Sequence, residues 1–147
     1  MSGILTHSPA DILRHLLISR SIGTLPEDSS DWPIYAIRMP ANPDNLICVY
    51  NTQGVIGGKH HVTKTTIERH GIQISIASAS HLVGLAKANE ICEVLDDTVY
   101  ETLSIGTSQY RIHGFVRTSS ILSNKTTNIS KQNSTTVNFI MAVTQLS

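Results

Sequence analysis

The sequence is short of charged residues. Of its 147 residues, 15% are Asp, Glu, Lys or Arg, whereas about a quarter is usual in soluble domains. The 11 basic and 11 acidic residues cancel, and the basic ones are scattered along the chain. Binding to nucleic-acid phosphates needs a concentrated basic surface, so we expect no such affinity. A surface rich in hydroxyl and amide groups is weakly protected against self-association, which fits a subunit packed between neighbours as well as a neutral monomer.

Cysteines are few, and long apolar runs are absent. Cys48 and Cys92 are too few for a disulfide framework, and both lie in apolar patterns that predict small buried side chains. This usage is typical of synthesis in a reducing cytoplasm. No stretch approaches the roughly 18 apolar residues of a membrane span, and the N-terminus lacks the basic and apolar regions of a signal peptide. We therefore expect no membrane association.

A helix is predicted near the N-terminus. Ser8 is a good N-cap, Pro9 suits the first helical position, and Asp11 completes a pattern that resembles a capping box. Apolar residues at i, i+3 and i+4 follow as far as Leu17, and Gly23 predicts the end of the helix.

A second helix is predicted in the middle of the chain. Ser78 or Ser80 would cap it, and its pattern continues to about Leu95. The small residues Gly84, Ala86 and Ala88 would allow this helix to lie close to a sheet. Its predicted apolar face consists of Leu82, Leu85, Ala88, Ile91, Cys92 and Leu95.

Alternating apolar residues predict six strands, at about 32–39, 46–50, 67–77, 98–103, 109–118 and 137–143. The first two are expected to form a hairpin, and the fourth and fifth to join around Gly106. Hairpins with helices set aside predict an α+β fold, in which both helices pack on one face of a mostly antiparallel sheet. A chain of this length is expected to form one domain, 1–147.

Two polar stretches, 51–66 and 119–134, lack a clear period and are predicted to be long exposed loops. The first could equally be the tip of an extended hairpin. It combines glycines with histidines, lysines and a few apolar residues. Long loops in compact domains are usually functional or disordered. We predict that this loop contacts a partner through Val55, Ile56, Gly57, Gly58, Lys59, His60, His61, Val62 and Lys64.

The residues that could carry chemistry do not form a site. His60 and His61 are adjacent and His70 is nearby, but adjacent histidines project differently and no Cys or acidic partner stands at a ligand spacing. The glycine-rich stretch fails as a phosphate-binding loop, because Gln53 stands where glycine is required and His60 where Ser or Thr is required. A nucleophilic thiolate needs partial exposure, which neither cysteine is predicted to have. We expect no catalytic residue, metal or cofactor.

The stretch HGIQISIASASHLVGLAKANEICEVL resembles the central strand and helix of phage tail terminators and related small minor capsid proteins. The end of the chain, TTVNFIMAVTQ, is similar to the last strand of that family. Ser75 or Ala77 stands where family members often carry Arg, so a charge role there is not carried over. The residues that match are Gly71, Ile72, Gln73, Ile74 and Ile76 in the strand and Ala86, Ile91 and Leu95 in the helix.

The resemblance implies a structural protein of the virion of a long-tailed phage, and not an enzyme. Such proteins form six-subunit rings that cap the finished tail tube, stop its polymerisation and offer a docking face to the neck. The implied partners are further copies of the chain, the tail tube protein and a neck or head-completion protein, with DNA passing through the lumen without specific binding. The alternatives are another neck or head–tail joining subunit of the same fold, or a small ligand-binding domain or enzyme.

Overall fold

The computed structural model has one sheet that curls around two helices. It describes residues 5–24, 32–36, 45–52, 56–59, 66–125 and 133–146. Within these ranges the structure has two helices and eight strands, and the predicted α+β fold is confirmed. The elements in chain order are α1 (Pro9–Ser19), β1 (Ile34–Ala36), β2 (Leu46–Thr52), β3 (Ile56–Lys59), β4 (Thr66–Ser78), α2 (His81–Asp97), β5 (Glu101–Ile105), β6 (Ser108–Arg117), β7 (Leu122–Lys125) and β8 (Asn133–Gln145).

Helix α1 has the predicted start and a different end. The Ser8 side chain accepts a hydrogen bond from the Asp11 backbone N–H, and Pro9 occupies the first turn. The helix ends at Ser19, and the residue with a left-handed backbone is Ser21 (φ 62°) rather than Gly23. The N–H groups of Ser21 and Ile22 bond back to the carbonyls of Ile18 and Leu17, as in a Schellman motif.

The strands follow the order β1-β2-β4-β8-β6-β5, with β3 also pairing with β4, and β7 with β8. β4 and β8 are the long central strands, antiparallel from Glu68 opposite Val143 to Ser78 opposite Asn133. All pairs are antiparallel except β1 with β2, which is parallel. The predicted hairpin of the first two strands is therefore wrong, because apolar alternation locates a strand but does not encode its direction.

The core lies between the helices and one face of the sheet. Alternate residues of β4 (Ile72, Ile74 and Ile76) are fully buried, opposite Phe139 and Val137 of β8. The buried residues of α1 and α2 belong to the same cluster, so both helices pack on one face, as predicted. Burying each such side chain stabilises the fold by about 1.5–3 kcal/mol before conformational entropy is counted.

Helix α1 also closes the open side of the curled sheet. It contacts β1 and β2 at one edge and β5 at the other, although these strands lie at opposite ends of the strand order. Arg20 forms an ion pair with Glu101 of β5. At its other end, the Ala10 N–H donates to Asn51 Oδ1 of β2 over 2.9 Å. The helix is thus fixed to both edges of the sheet.

Helix α2 approaches the sheet closely at its first turns. A Cβ atom on Gly84 would lie 2.6 Å from Ser78 Oγ and 2.9 Å from Thr135 Oγ1, so this position has no space for a side chain. The prediction of close approach is confirmed for Gly84 and Ala88, which are buried, and is wrong for Ala86, which is exposed. Leu82 was predicted on the apolar face, but its side chain is 73% exposed because it lies about 200° around the helix from the buried Gly84.

The two stretches predicted as loops contain strands in their described parts. In 51–66, residues 51–52 end β2, residues 56–59 form β3, and residue 66 begins β4, so the described backbone follows the hairpin alternative. In 119–134, residues 122–125 form β7, which pairs with β8 from Asn133 onwards. The predicted loop 119–134 is therefore wrong for residues 122–125 and 133–134, because mostly polar residues can pair in a sheet without an apolar period.

Candidate functional site

Two strand pairs extend the sheet in opposite directions. β3 and β4 meet beside the end of β8, since Glu68 pairs with both Ile56 and Val143. β7 and β8 meet beside the end of β4, since Asn133 pairs with both Lys125 and Ser78. We call the first end of the sheet, formed by residues 56–59, 66–70 and 143–145, the hairpin end. The opposite end, formed by residues 76–78, 122–125 and 133–135, is the distal end.

Side-chain hydrogen bonds fix the residues before α1 to the hairpin end. The Thr6 N–H donates to Gln145 Oε1 over 2.8 Å, and Gln145 Nε2 donates back to Thr6 Oγ1 over 2.8 Å. The His7 N–H donates to Tyr110 Oη over 3.0 Å, and His7 Nδ1 lies 2.6 Å from the same oxygen. Tyr110 is fully buried, so its hydroxyl obtains partners from the segment that covers it.

Titratable groups collect near this network. His70 Nε2 lies 3.3 Å from Glu68 Oε1, on the face of β4 that also carries the core isoleucines. Burial lowers the pKa of His15 below its usual value, and the neighbouring Arg14 guanidinium lowers it further, against the opposing effect of Asp11. Within the described ranges, no group of three or more His, Cys, Asp or Glu residues is placed to hold a metal ion.

The predicted contact residues are distributed unevenly over the described chain. Ile56, Gly57, Gly58 and Lys59 form β3, where Ile56 pairs with Glu68 and Lys59 with Thr66, with a register shift between them. The backbone of β3 is therefore tied to the start of β4. The other predicted contact residues, Val55, His60, His61, Val62 and Lys64, lie outside the described residues.

Both cysteine side chains are buried, as is typical of structural residues. Cys48 is fully buried on the sheet face opposite the helices, in a small cluster with Leu46 and Ala77. Burial raises the pKa of the Cys92 thiol, although its hydrogen bond to Arg117 opposes this effect. A raised pKa keeps Cys92 protonated near neutral pH, which suits packing rather than nucleophilic attack.

Exposed apolar residues at the two ends of α2 are a feature that the sequence analysis missed. At its start, Leu82 and Val83 are 73% and 43% exposed. Just past its end, Val99 and Tyr100 are 66% and 63% exposed, and Val116 of β6, three residues after His113, is 65% exposed. Periodicity placed Leu82 in the core and assigned Val99 and Tyr100 to a strand, so no signal in the sequence marked these residues as surface.

Tyr100 is held in a strained conformation. Its φ is 55°, which is rare for an aromatic residue. The Arg111 guanidinium lies 4.4 Å from the centre of its ring, and the His113 ring contacts it edge-on at 5.6 Å. The Tyr100 N–H donates to the His113 carbonyl over 3.2 Å. These contacts keep a large aromatic side chain exposed at the cost of backbone strain, a combination that is frequent at functional surfaces.

Comparison with known proteins gives a family and a structural neighbour. Residues 16–145 match the profile of a family described as Bacteriophage tail terminator protein. A chain in the solved structure titled "Virion of native gene transfer agent (GTA) particle" is similar, with a TM-score of 0.48 and 15% sequence identity, over 76% of this chain and 78% of that one. No curated protein matches the sequence. In the described parts of the chain, no helix is both long and apolar enough to cross a membrane.

Proposed function

We propose that this chain, which belongs to the bacteriophage tail terminator family, forms a ring that caps the tail tube, stops its polymerisation and offers a docking face to the neck. The family assigns the chain to the structural proteins of the virion tail, which are not an enzyme class. Ring formation, capping of the tube and docking to the neck are our proposals beyond this assignment.

The observation that carries the proposal is the extent of the family match. It covers residues 16–145, from the middle of α1 to the end of β8. The match therefore includes both central strands, both strand pairs that extend the sheet and the whole of α2. A match of this extent includes the core and both ends of the sheet.

The two ends of the sheet provide two different contact surfaces on one subunit. A ring that caps a tube must contact the tube on one side and the neck on the other. The β3–β4 pair and the β7–β8 pair extend from opposite ends of the sheet, so they can meet different partners. We assign the hairpin end to the tail tube and the distal end to the neck.

Net charge is compatible with a ring around DNA. The chain carries 11 basic and 11 acidic residues, which leaves no net electrostatic attraction for phosphates. DNA that must pass through a lumen benefits from a surface that does not retain it. In this proposal the chain binds neither metal nor cofactor, and proteins are its only specific partners.

The predicted contact residues would act as a group. Lys59, His60, His61 and Lys64 supply polar contacts, and Val55, Ile56 and Val62 supply apolar ones. β3 is already paired with β4, so its backbone loses little conformational entropy on binding. Contacts from several copies on one tube end add through avidity.

A deletion tests the proposal. Removing residues 55–64 takes away β3 but leaves β4 paired with β2 and β8, so we expect a soluble folded chain. This variant should give tails of uncontrolled length or tails that fail to join heads. Replacement of residues 126–132, which connect Lys125 to Asn133, by the two-residue turn Asn-Gly is the matched control and should leave tail length unchanged.

The position of the wild-type chain is the second readout. Labelled subunits should mark one ring at the head-proximal end of each tail in electron micrographs. Labels along the whole tail would reject capping. Tails of normal length that join heads after deletion of residues 55–64 would reject the assignment of the hairpin end to the tube.

A further inference from the structure

The exposed residues at the two ends of α2 form two separate patches. The leading patch consists of Leu82 and Val83 in the first turn of α2, and the trailing patch consists of Val99 and Tyr100 just beyond its last turn together with Val116 of β6. Helix α2 has 17 residues, so the two patches lie about 25 Å apart along its axis. Exposed apolar side chains that are grouped in this way mark interaction surfaces more often than singly scattered ones do.

The charges near the C-terminus of α2 oppose its dipole, and no charge or side-chain cap compensates the dipole at its N-terminus. Glu93, Asp96 and Asp97 are exposed near its C-terminus, where negative charge is unfavourable, and no basic residue occupies the last turn. At the other end, the first turn has no acidic residue and Ser80 makes no side-chain cap. One end of the helix is therefore negative, and the other presents uncapped N–H groups and the positive end of the dipole.

These features are complementary between two copies of the chain. A neighbour whose leading patch lies on the trailing patch would bury apolar side chains against each other. The same arrangement would place its positive helix end near the exposed carboxylates. Contact between two different surfaces of identical subunits is the heterologous type, which forms a closed ring when the rotation closes.

We propose that the leading patch of each subunit binds the trailing patch of the next, so that these two patches form the subunit interface of the ring. Tyr100 is the central anchor of the trailing patch, because Arg111 and His113 hold its ring in place before binding. A rigid, exposed aromatic side chain loses little entropy on binding and is typical of interface hot spots. The inference rests on the proposed ring.

Crosslinking on assembled tails tests this interface. The double variant Leu82→Cys with Val99→Cys places one thiol on each patch, and the native Cys48 and Cys92 are buried and should not react. Treating capped tails with a short bismaleimide should give a ladder of covalent oligomers that reaches the full ring. Leu82→Cys alone should give no ladder.

A second pair controls for accidental proximity. Leu82→Cys with Leu146→Cys places the second thiol at another exposed leucine, which lies near the hairpin end next to Gln109. This pair should give no ladder under the same conditions. A ladder of equal yield from this pair, or crosslinks from either patch to the tube protein, would overturn the proposed interface.

Polar substitution gives an independent readout. Leu82→Asp changes a side chain that is 73% exposed, so the circular dichroism spectrum and melting temperature should remain close to those of the wild type. Its binding to tail ends should fall by at least tenfold, whereas Asn89→Asp, which adds the same charge at an exposed position of α2 between the two patches, should bind normally. If wild-type protein caps tails and Leu82→Asp caps them equally well, the interface is wrong and the proposed function stands. If wild-type protein does not mark tail ends, the proposed ring itself fails.

Discussion

Gly23 offers a sensitive test of how α1 is joined to the sheet. It lies between the end of α1 and the segment that leads into β1. A Cβ atom at this position would lie 2.5 Å from the Trp32 carbonyl oxygen and 2.7 Å from Ile34 Cγ1. Because that oxygen also accepts the Thr24 N–H over 3.2 Å, the backbone cannot move away without weakening this bond. Gly23→Ala should therefore be accommodated only by moving backbone atoms.

The magnitude follows from two opposing effects. Replacing glycine with alanine usually stabilises a protein by about 0.4–1 kcal/mol, because it restricts the unfolded chain. Overpacking a well-packed site costs about 1–3 kcal/mol. The clash should prevail, and we expect a net destabilisation of roughly 1–2 kcal/mol, which lowers the melting temperature of a domain of this size by about 2–8 °C.

Gly114→Ala is the matched control for this prediction. The closest atom to its added Cβ would be the Thr98 carbonyl oxygen at 3.9 Å, which is an ordinary contact. Both substitutions restrict the unfolded chain to the same degree, so their difference reports the clash at Gly23. Urea denaturation of both variants measures it. Equal unfolding free energies for Gly23→Ala and Gly114→Ala would refute the close approach of Gly23 to Trp32.

Two further predictions concern α1. Ser21 adopts a left-handed backbone (φ 62°) at the position where helices prefer glycine. Ser21→Gly should therefore raise the free energy of unfolding by about 1 kcal/mol, as measured by urea titration. An unchanged or lower free energy of unfolding would contradict the Schellman motif at the end of α1. The pKa of His15 is lowered in the folded protein, so the unfolded state binds its proton more readily and stability should fall as pH drops through 6.5. Between pH 8 and pH 5, the melting temperature of His15→Gln should fall less than that of the wild type. An equal fall in both proteins would contradict the burial of the His15 side chain.

The helices and central strands were predictable because their signals are local. Ser8, Pro9 and Asp11 specify the start of α1 through one side-chain hydrogen bond and one fixed φ angle. The alternation around Ile74 specifies which face of β4 is buried, since successive side chains point to opposite faces of a strand. These signals depend on neighbours within a few residues.

The missed features depend on distant parts of the chain. The parallel pairing of β1 with β2 is set by how the whole sheet closes around α1, which no local pattern encodes. The start of β8 at Asn133 and the whole of β7 were missed because these paired residues are polar except for Leu122 and show no apolar alternation. Leu82 was assigned to the apolar face of α2, but the sheet packs on the side of the helix that carries Gly84 and Ala88. The candidate contact surfaces are therefore the part of the molecule that periodicity predicts least well.

The size of the two patches bears on where the proposed ring would form. Fully burying a large apolar side chain contributes about 1.5–3 kcal/mol, and the five patch residues are 43–73% exposed in the subunit. One interface would therefore gain roughly 4–9 kcal/mol, against an association cost of about 4–15 kcal/mol. The free energy gained at one interface therefore hardly exceeds the cost of association for two free subunits. Subunits already bound to the end of a tube have lost most of their translational freedom, so the same contact becomes favourable through effective concentration. Under the proposed function, patches of this size would leave the free chain unassembled and would close a ring only on the tube, so that the tube end would determine where termination occurs.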